Sequence, residues 1–590
     1  SSETKARLSE IQARNSARKA QESLRVACQG LDDLLTEVAD VDLADIPQME
    51  PVRRRLLEKA REGYEKLREN KDDEQSTLLR WVVGRSYSRL GEILEMTGDY
   101  SKAEEFYRQA IGLLSALSAE SPGPAVSAES PTQDNYRRDL LRSQLGLGVL
   151  YRKLHRFQEA EEQLQAAGSS SKPLASSTAL FDRQMLAELA YQKGVLWARQ
   201  AEARGALATR KSERARASEQ AYRDALRLQE ELVKEQPGRA DLRAKLGRYR
   251  NNLGKLLGAT GREDLAETVL RAALALVSES PTLPGERWQS ARNKNNLGTL
   301  LARQKPRAND GLGLLREARD QLETLTKEFP TIPQYRQELA SVLRNLGKAE
   351  EAGQPTQALN DLKRALQIRK KLVDDSPGVP EYRMDLAVVA PEVAYLLGES
   401  DSAAAETVAG EAVKALTKLA DHQPAIPSYV DALGRAHYEM AQLLMMLKKP
   451  DDARSAIEQS IRYHRGALDL SPENSDYRAN LRAAYNVSSI VLRDLGETAR
   501  AADAAEQLPR ILPEDRGSYY NAAALLTKCL KASRNQGQDY GRRAVRVLQQ
   551  AAKNRLIKDP KELDFPDFAD LKERDDFRRL RQSLEPPRAG

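Results

Sequence analysis

The sequence predicts an all-α fold, a right-handed superhelical solenoid of helix–turn–helix repeats. Three observations predict it: the composition, a motif that returns at a nearly constant spacing, and apolar residues at helical spacing on both sides of a turn. The 590 residues are 31% charged and only 5% aromatic, and Ala and Leu dominate the hydrophobic 40%. Such a composition is typical of helices that pack through small residues and keep wide polar faces.

The repeated motif has the form Pro-x-x-Pro-x-Tyr-Arg-x-x-Leu. Its tyrosines stand 47, 47 and 48 residues apart: Tyr335, Tyr382, Tyr429 and Tyr477. Trp288 is an aromatic residue 47 positions before Tyr335, and Tyr136 belongs to an earlier copy. A constant period in this range indicates stacked repeats. We interpret the tyrosines as packing residues at the starts of first helices, with their hydroxyls at the surface.

Each period predicts two helices joined by a short turn, best seen in residues 248–276. Gly261 separates the two apolar patterns there and suits the left-handed residue that ends a helix. Counted from Gly254 of the pair Leu253-Gly254, Gly261 lies seven residues later, Ala266 twelve and Ala273 nineteen. This set resembles the tetratricopeptide signature. The set recurs at Leu90-Gly91, Gly98, Ala103 and Ala110. It recurs again at Gly148, Ala160 and Ala167, where His155 stands in place of the turn glycine.

The repeats divide the chain into three predicted parts. Residues 1–70 form an N-terminal helical segment, residues 71–512 hold about nine tetratricopeptide-like repeats, and residues 513–590 form a C-terminal helical cap. Atypical ends fit a solenoid because terminal units must cover an otherwise exposed apolar face. Pro391 falls within a predicted first helix and predicts a kink or a late helix start.

Several classes of function are disfavoured. The net charge of +6 is spread along the chain, which argues against nucleic-acid binding. No run of about 18 apolar residues is present, so the chain contains no predicted membrane span. The four histidines are scattered and Cys28 and Cys529 lie near opposite ends, so no metal site is expected. No cofactor-binding loop and no nucleophile–base pair is found, so we predict no cofactor, no catalytic residue and no enzyme.

Aligned Leu-Gly pairs predict a partner-binding groove. The position five residues before the leucine holds Arg85, Arg142, Arg248, Arg292 and Arg435, the last where Met440-Ala441 replaces Leu-Gly. Neighbouring positions add Asn251, Lys255, Asn295, Arg344 and Lys348. Two interpretations stay open: a groove that grips acidic side chains or C-terminal carboxylates, or arginines that bridge neighbouring repeats or lie in water.

The ends of the chain carry a second resemblance. Residues 34–39, 47–60 and 571–580 are similar to repeat regions that follow a serine/threonine kinase domain and a membrane helix in planctomycete-type bacterial proteins. The kinase motifs themselves are absent. The resemblance implies a sensing or docking arm across the membrane from the kinase, which favours an extracytoplasmic or cell-surface location over the cytoplasm. The start at Ser1 rather than Met fits a processed or excised product.

These observations predict a non-catalytic scaffold that binds a peptide or protein partner in the groove. A self-assembling fibre or coat protein is the alternative, because heterologous contacts between solenoid ends generate open assemblies. The extracytoplasmic arm of a membrane kinase is a further alternative. Self-association is therefore compatible with the sequence.

Overall fold

The computed structural model describes residues 77–120, 132–201, 208–277, 283–472, 474–532 and 540–585, with a few isolated positions before residue 77. All regular elements in these ranges are helical, which confirms the predicted all-α solenoid of helix–turn–helix repeats. Most of the predicted N-terminal helical segment, residues 1–70, and Cys28 lie outside the described residues. The chain forms two compact units, the first reaching Tyr382 and the second running from Arg383 onward.

The first unit is built from pairs of antiparallel helices, in which odd numbers mark first helices and even numbers second helices. Its described helices are α1 (Thr77–Thr97), α2 (Tyr100–Ala119), α3 (Gln133–Lys153), α4 (Phe157–Ser171), α5 (Leu180–Ala201), α6 (Ala208–Glu235, from residue 212 onward), α7 (Ala240–Ala259), α8 (Glu263–Leu274), α9 (Pro284–Ala302), α10 (Ala308–Glu328), α11 (Pro333–Glu350) and α12 (Pro355–Asp375).

The second unit continues the pattern and ends differently. Its helices are α13 (Pro380–Leu397, from residue 383 onward), α14 (Ser402–His422), α15 (Pro427–Met446), α16 (Pro450–Leu470), α17 (Ser475–Asp494), α18 (Thr498–Ile511), α19 (Arg516–Ala532), α20 (Tyr540–Lys553) and α21 (Asp575–Ser583). Two short 3₁₀ segments precede α21. Their Phe568 and Leu571, with Phe577 and Leu580 of α21, are buried in one cluster with α18, α19 and α20. The tail thus covers the apolar surface of the last helix pair.

The repeated motif starts the first helices. Its second proline is the first helical residue in α11, α13 and α15, where a missing N–H costs nothing and φ is already helical. The tyrosine two positions later is buried in all three helices, and the arginine after Tyr335 forms an ion pair with Asp375 at the end of α12.

Trp288 lies four residues after the start of α9 instead of two, so it is not the structural equivalent of these tyrosines. Helix α13 starts in register and continues through Pro391, so it does not start late.

Several turns between paired helices contain a left-handed residue. Gly98, Gly261 and Gly496 have φ of 87°, 78° and 80°, which confirms the interpretation of Gly261. His155 and Lys448 take the same conformation, with φ of 57° and 59°. A residue with a Cβ pays roughly 1–2 kcal/mol for this conformation. The geometry of the turn therefore outweighs the preference of the residue in these two repeats.

Paired helices approach closely because a small residue faces a large one. A Cβ built on Gly254 would lie 2.5 Å from Cγ of Leu270, and one on Gly347 would lie 2.7 Å from Cγ of Leu362. The same position pairs Gly91 with Tyr107, Gly148 with Leu164, Gly194 with Tyr222 and Gly298 with Leu315. In α13 and α14 both members are alanines, Ala394 and Ala409.

This packing rule predicts a non-additive pair of substitutions. Gly254→Ala is expected to destabilise the first unit by about 1–3 kcal/mol because the added methyl overlaps Leu270. In a Leu270→Ala background the same change is expected to cost nothing, because alanine favours a helix by ~1 kcal/mol over glycine. Chemical denaturation of the four proteins measures the coupling. Gly313→Ala in α10 is the control, since no other side chain and no other helix lies within 4 Å of its Cβ position, and this substitution should stabilise the protein. Equal costs in both backgrounds would contradict the rule.

Candidate functional site

The predicted groove positions lie on first helices, and we call the surface that these positions form within a unit the first-helix face. In each first helix one small residue packs against the second helix, as Gly254 does in α7. The face consists of the residues six, three and two positions before this small residue and of the residue directly after it. In α7 these are Arg248, Asn251, Asn252 and Lys255.

Side chains on this face connect consecutive first helices. Arg248 Nη2 donates to Glu188 Oε2 of α5 at 2.8 Å, and the Tyr249 hydroxyl donates to the same oxygen at 2.8 Å. Asn252 Nδ2 donates to the hydroxyl of Tyr191 at 2.7 Å. Glu188 occupies the same aligned position in α5 as Arg248 does in α7. Opposite charges at equivalent positions thus bind two repeats together.

The same kind of connection recurs elsewhere in the first unit. Arg292 Nε lies 3.4 Å from Glu338 Oε2 of α11, and Asn295 Nδ2 donates to the other oxygen of Glu338 at 3.2 Å. Asn345 Nδ2 of α11 donates in turn to Asn295 Oδ1 at 2.9 Å. Arg142 Nε is 3.8 Å from Glu92 Oε1 of α1. The structure therefore brings these predicted residues together in a set of contacts between first helices. We call the pairs Arg142–Glu92, Arg248–Glu188 and Arg292–Glu338, with the hydrogen bonds beside them, the ladder.

Aromatic rings orient the arginines further. The guanidinium carbons of Arg85, Arg142, Arg248 and Arg292 lie 5.4, 4.9, 4.8 and 4.9 Å from the ring centroids of Trp81, Phe181, Tyr191 and Trp288, respectively. These contacts and the carboxylates leave only 18% of the side chain of Arg142, 34% of Arg248 and 21% of Arg292 exposed. The arginines are consequently preorganised, with the planes of their guanidinium groups held in place.

Charge pairing sets the protonation states of Arg248 and Glu188. Burial by itself would raise the pKa of Glu188, but the Arg248 guanidinium and the hydrogen bonds from Gln192 and Tyr249 lower it below its usual value. Burial would lower the pKa of Arg248, and Glu188 reverses this. Both groups remain charged over the physiological range, and the ladder is held by charge-assisted hydrogen bonds.

The remaining predicted residues differ in accessibility. Asn251 is fully buried and Asn295 is 4% exposed, so neither amide presents an open surface. Lys255 and Lys348 are exposed at equivalent positions of α7 and α11, and Arg344 is half-buried. In the second unit, Arg435 Nε lies 3.3 Å from Asp431 Oδ2 in its own helix.

Two groups of residues were missed by sequence reasoning. Glu92, Glu188 and Glu338 complete the ladder. Glu92 directly follows Leu90-Gly91, at the position of Lys255 and Lys348, and Glu188 stands five residues before Lys193 of Lys193-Gly194, so these two could have been found. Trp81 and Trp288 stand four residues before their arginines, a spacing that brings side chains together on a helix. Phe181 and Tyr191 come from other helices, and no local pattern marks them.

Other chemistry finds no support in the part of the chain that the structure describes. No group of three or more His, Cys, Asp or Glu side chains there could hold a metal ion. His437 stacks on Tyr463, and burial lowers its pKa to about 4. Cys529 is buried, which raises the pKa of its thiol.

Among the described helices, none combines the length and the apolar character that crossing a bilayer requires.

Comparisons with known proteins agree with the helical-repeat fold. Tetratricopeptide repeat models match residues 84–113 and 335–378. The chain is similar to the human IFIT1 dimer with PPP-AAAA (14% identity, 86% of this chain and 95% of that chain, TM-score 0.45). It is also similar to the apo quorum sensor NprR from B. thuringiensis (12% identity, 76% of this chain and 99% of that chain, TM-score 0.40). A further similar structure is the Rap conjugation gene regulator of plasmid pLS20 with the Phr* peptide (15% identity, 65% of this chain and 97% of that chain, TM-score 0.35). No curated protein matches the chain in sequence. The resemblance to kinase-linked repeat regions stays a prediction.

Proposed function

We propose that this chain is a non-catalytic scaffold that binds an extended acidic segment of a protein partner along the first-helix face of its first unit. The observation that carries the proposal is the set of preorganised arginines at one aligned position of the first helices α3, α7 and α9: Arg142, Arg248 and Arg292. The exposed lysines Lys255 and Lys348 accompany them.

Preorganisation is what makes this face suited to binding. Arginines that are already stacked and hydrogen-bonded lose little side-chain entropy when a ligand arrives. Their glutamate partners prevent self-repulsion in the free protein, and guanidinium groups form charge-assisted hydrogen bonds with carboxylates. The exposed lysines contribute long-range attraction, which steers an acidic segment to the face.

The test is a fluorescence-polarisation titration with a labelled dodecapeptide of alternating Glu and Ser. The double variant Lys255→Glu/Lys348→Glu is expected to weaken binding by at least about tenfold at low salt, since attraction becomes repulsion. Both lysines are exposed, so the fold should be retained. Lys363→Glu in α12, an exposed lysine on a second helix, should leave affinity nearly unchanged. Equal losses for the double variant and the control would mean that only net charge matters and would contradict the proposal.

Light scattering over a wide concentration range separates the scaffold from a self-assembling protein. A discrete monomer or dimer is expected, because the C-terminal tail covers the last helix pair with buried aromatic residues. Growth into large polymers would overturn the docking model.

The extracytoplasmic location, proposed on the sequence resemblance, is tested by protease accessibility of the chain on intact cells.

A further inference from the structure

Arg152 of α3 differs from the arginines of the ladder. Arg142, Arg248 and Arg292 each have a glutamate partner on another first helix. No hydrogen bond or ion pair joins the guanidinium of Arg152 to another residue that the structure describes, and its Nε is buried without an acceptor. Arg152 stands four residues after Gly148, which places it on the side of the first-helix face. Within the described part of the chain, its charge is therefore not matched by a direct contact.

The carboxylates near Arg152 do not pair with it. Glu95 of α1 accepts a hydrogen bond from the Tyr107 hydroxyl at 3.0 Å, and Lys153 Nζ lies 2.8 Å from its other oxygen. The negative charge of Glu381 acts on Arg152 without a hydrogen bond. The hydrogen-bond donors of the Arg152 guanidinium thus remain available to a ligand.

Two parts of the first unit that are far apart in sequence meet near Arg152. A Cβ built on Gly98, in the turn between α1 and α2, would lie 3.5 Å from Cγ2 of Val379, and one built on Gly378 would lie 3.5 Å from the Gly98 carbonyl oxygen. The same segment brings Glu381 within electrostatic range of Arg152. The side chain of Arg152 is nevertheless only half-buried, so a ligand can reach it.

The electrostatics around Arg152 favour an anion. Burial lowers the pKa of Arg152, and the positive charge of Arg199 on α5 lowers it further. A guanidinium stays protonated all the same, so the free protein holds a positive charge partly removed from water. Tyr191 of α5 also acts on Arg152. Its hydroxyl accepts a hydrogen bond from Asn252 Nδ2 at 2.7 Å and donates to no other residue that the structure describes, which provides a second donor.

We propose that Arg152 binds the carboxylate of one Glu or Asp side chain of the acidic partner segment. A carboxylate matches the planar fork of a guanidinium, accepts two of its hydrogen bonds and supplies the missing countercharge. A nucleic acid, with a phosphate at every residue, would bring further negative charges next to Glu95 and Glu381. The inference rests on the proposed scaffold function and identifies where one acidic side chain of the partner binds.

Replacing Arg152 by Met is expected to have two effects of opposite sign. The variant removes the charge and keeps an unbranched side chain, so the midpoint of chemical denaturation, followed by tryptophan fluorescence, should rise. The same variant should bind the labelled Glu/Ser dodecapeptide at least about tenfold more weakly. Arg152→Lys keeps the charge but loses the planar fork, and it should bind with intermediate affinity.

The matched control is Arg227→Met in α6. The side chain of Arg227 is 64% exposed and lies 3.4 Å from Glu231. Neither the denaturation midpoint nor the affinity for the dodecapeptide should change appreciably in this variant.

A small dicarboxylate separates the site from the docking of the whole segment. Disodium succinate is compared with sodium chloride at equal ionic strength, and the Tm of the full chain is measured in both. Succinate should raise the Tm of wild type and of Arg227→Met more than that of Arg152→Met, because a ligand that binds only the folded state stabilises it.

The outcomes distinguish this inference from the proposed function. A raised midpoint together with weakened dodecapeptide binding in Arg152→Met supports the inference. Unchanged binding overturns it, and so does a midpoint that does not rise, since the charge would then be matched within the fold. Tighter binding of a labelled thymidine dodecanucleotide than of the dodecapeptide by wild type would also overturn it, by making a nucleic acid the ligand.

The two proposals fail separately. If Lys255→Glu/Lys348→Glu weakens dodecapeptide binding and Arg152→Met does not, only the Arg152 inference fails. If the dodecapeptide does not bind wild type but succinate stabilises wild type more than Arg152→Met, the carboxylate site stands and only the docking of the segment fails. If wild type responds to neither ligand, both fail.

Discussion

Replacing Arg138 by Ala is expected to lower the free energy of unfolding of the first unit by about 3–5 kcal/mol, because it strands a buried carboxylate. Asp182, at the start of α5, has a side chain that is 0% exposed. Arg138 Nε and Nη2 of α3 donate to its two oxygens at 2.6 and 2.8 Å, and Ser177 Oγ donates at 2.6 Å. Removing the guanidinium leaves the charge without its main partner.

Tryptophan fluorescence during chemical denaturation measures this loss, since Trp81, Trp197 and Trp288 are the only tryptophans and all belong to the first unit. The neighbouring Arg137→Ala is the matched control. Arg137 contacts Asp134, whose side chain is 52% exposed, and its loss should cost less than about 1 kcal/mol. Similar shifts for the two variants would show that Arg138 does not hold a buried charge.

The same pair predicts a pH dependence. Burial by itself would raise the pKa of Asp182, but Arg138 and Ser177 lower it below the usual 3.8. The stabilisation is therefore complete above pH 3.8 and is lost as the pH falls through the lowered pKa. In Arg138→Ala the lowering by the arginine is lost and burial raises the pKa of Asp182. The difference in unfolding free energy between wild type and Arg138→Ala should therefore begin to narrow already above pH 3.8, as the stranded carboxylate takes up a proton, and narrow further below it.

Replacing Asp431 by Ala is expected to cost the second unit about 3–5 kcal/mol, because three polar groups lose one buried acceptor. Asp431 of α15 is 4% exposed. His464 Nδ1 of α16 lies 2.8 Å from its Oδ1, and Asn480 Nδ2 of α17 donates to both oxygens at 3.0 and 3.2 Å. Arg435 Nε approaches Oδ2 at 3.3 Å. One carboxylate thus connects three helices.

Hydrogen exchange locates this second loss. Amides of α15, α16 and α17 should lose protection in Asp431→Ala, while those of α3 and α5 should not. Asp451→Ala, at a side chain that is 77% exposed on α16, is the control and should change protection little. Burial would raise the pKa of Asp431, but His464 and Arg435 lower it below the usual 3.8. The loss of amide protection caused by Asp431→Ala should therefore shrink only as the pH falls below 3.8. Unchanged protection in α16 and α17 would contradict the connecting role.

Much of the fold could be predicted because it depends on local rules. A proline at the first helical position has the right φ and needs no N–H partner, so Pro333 and Pro427 mark helix starts. A glycine after a helix accepts a left-handed conformation, so Gly261 marks a turn. Even His155 was recognisable, because the rest of its repeat kept the spacing.

The candidate site could be predicted only in part. The arginines were found because they recur at one motif position, but their partners were not, because those partners lie on other helices. Arg262, at the position before α8, illustrates the same difficulty: it pairs with Glu219 of α6 at 2.7 Å, a contact between residues that no shared pattern connects.

The sequence by itself determined the helical class, the period of the repeats and the places where helices start and turn. Only the tertiary structure decided that Arg248 faces Glu188, that Asn251 is buried and that Asp431 connects three helices. Helix starts and turns follow from the φ preferences of single residues and their nearest neighbours. Contacts between helices depend on the rotation and separation of packed surfaces, which are set jointly by side chains distant in sequence.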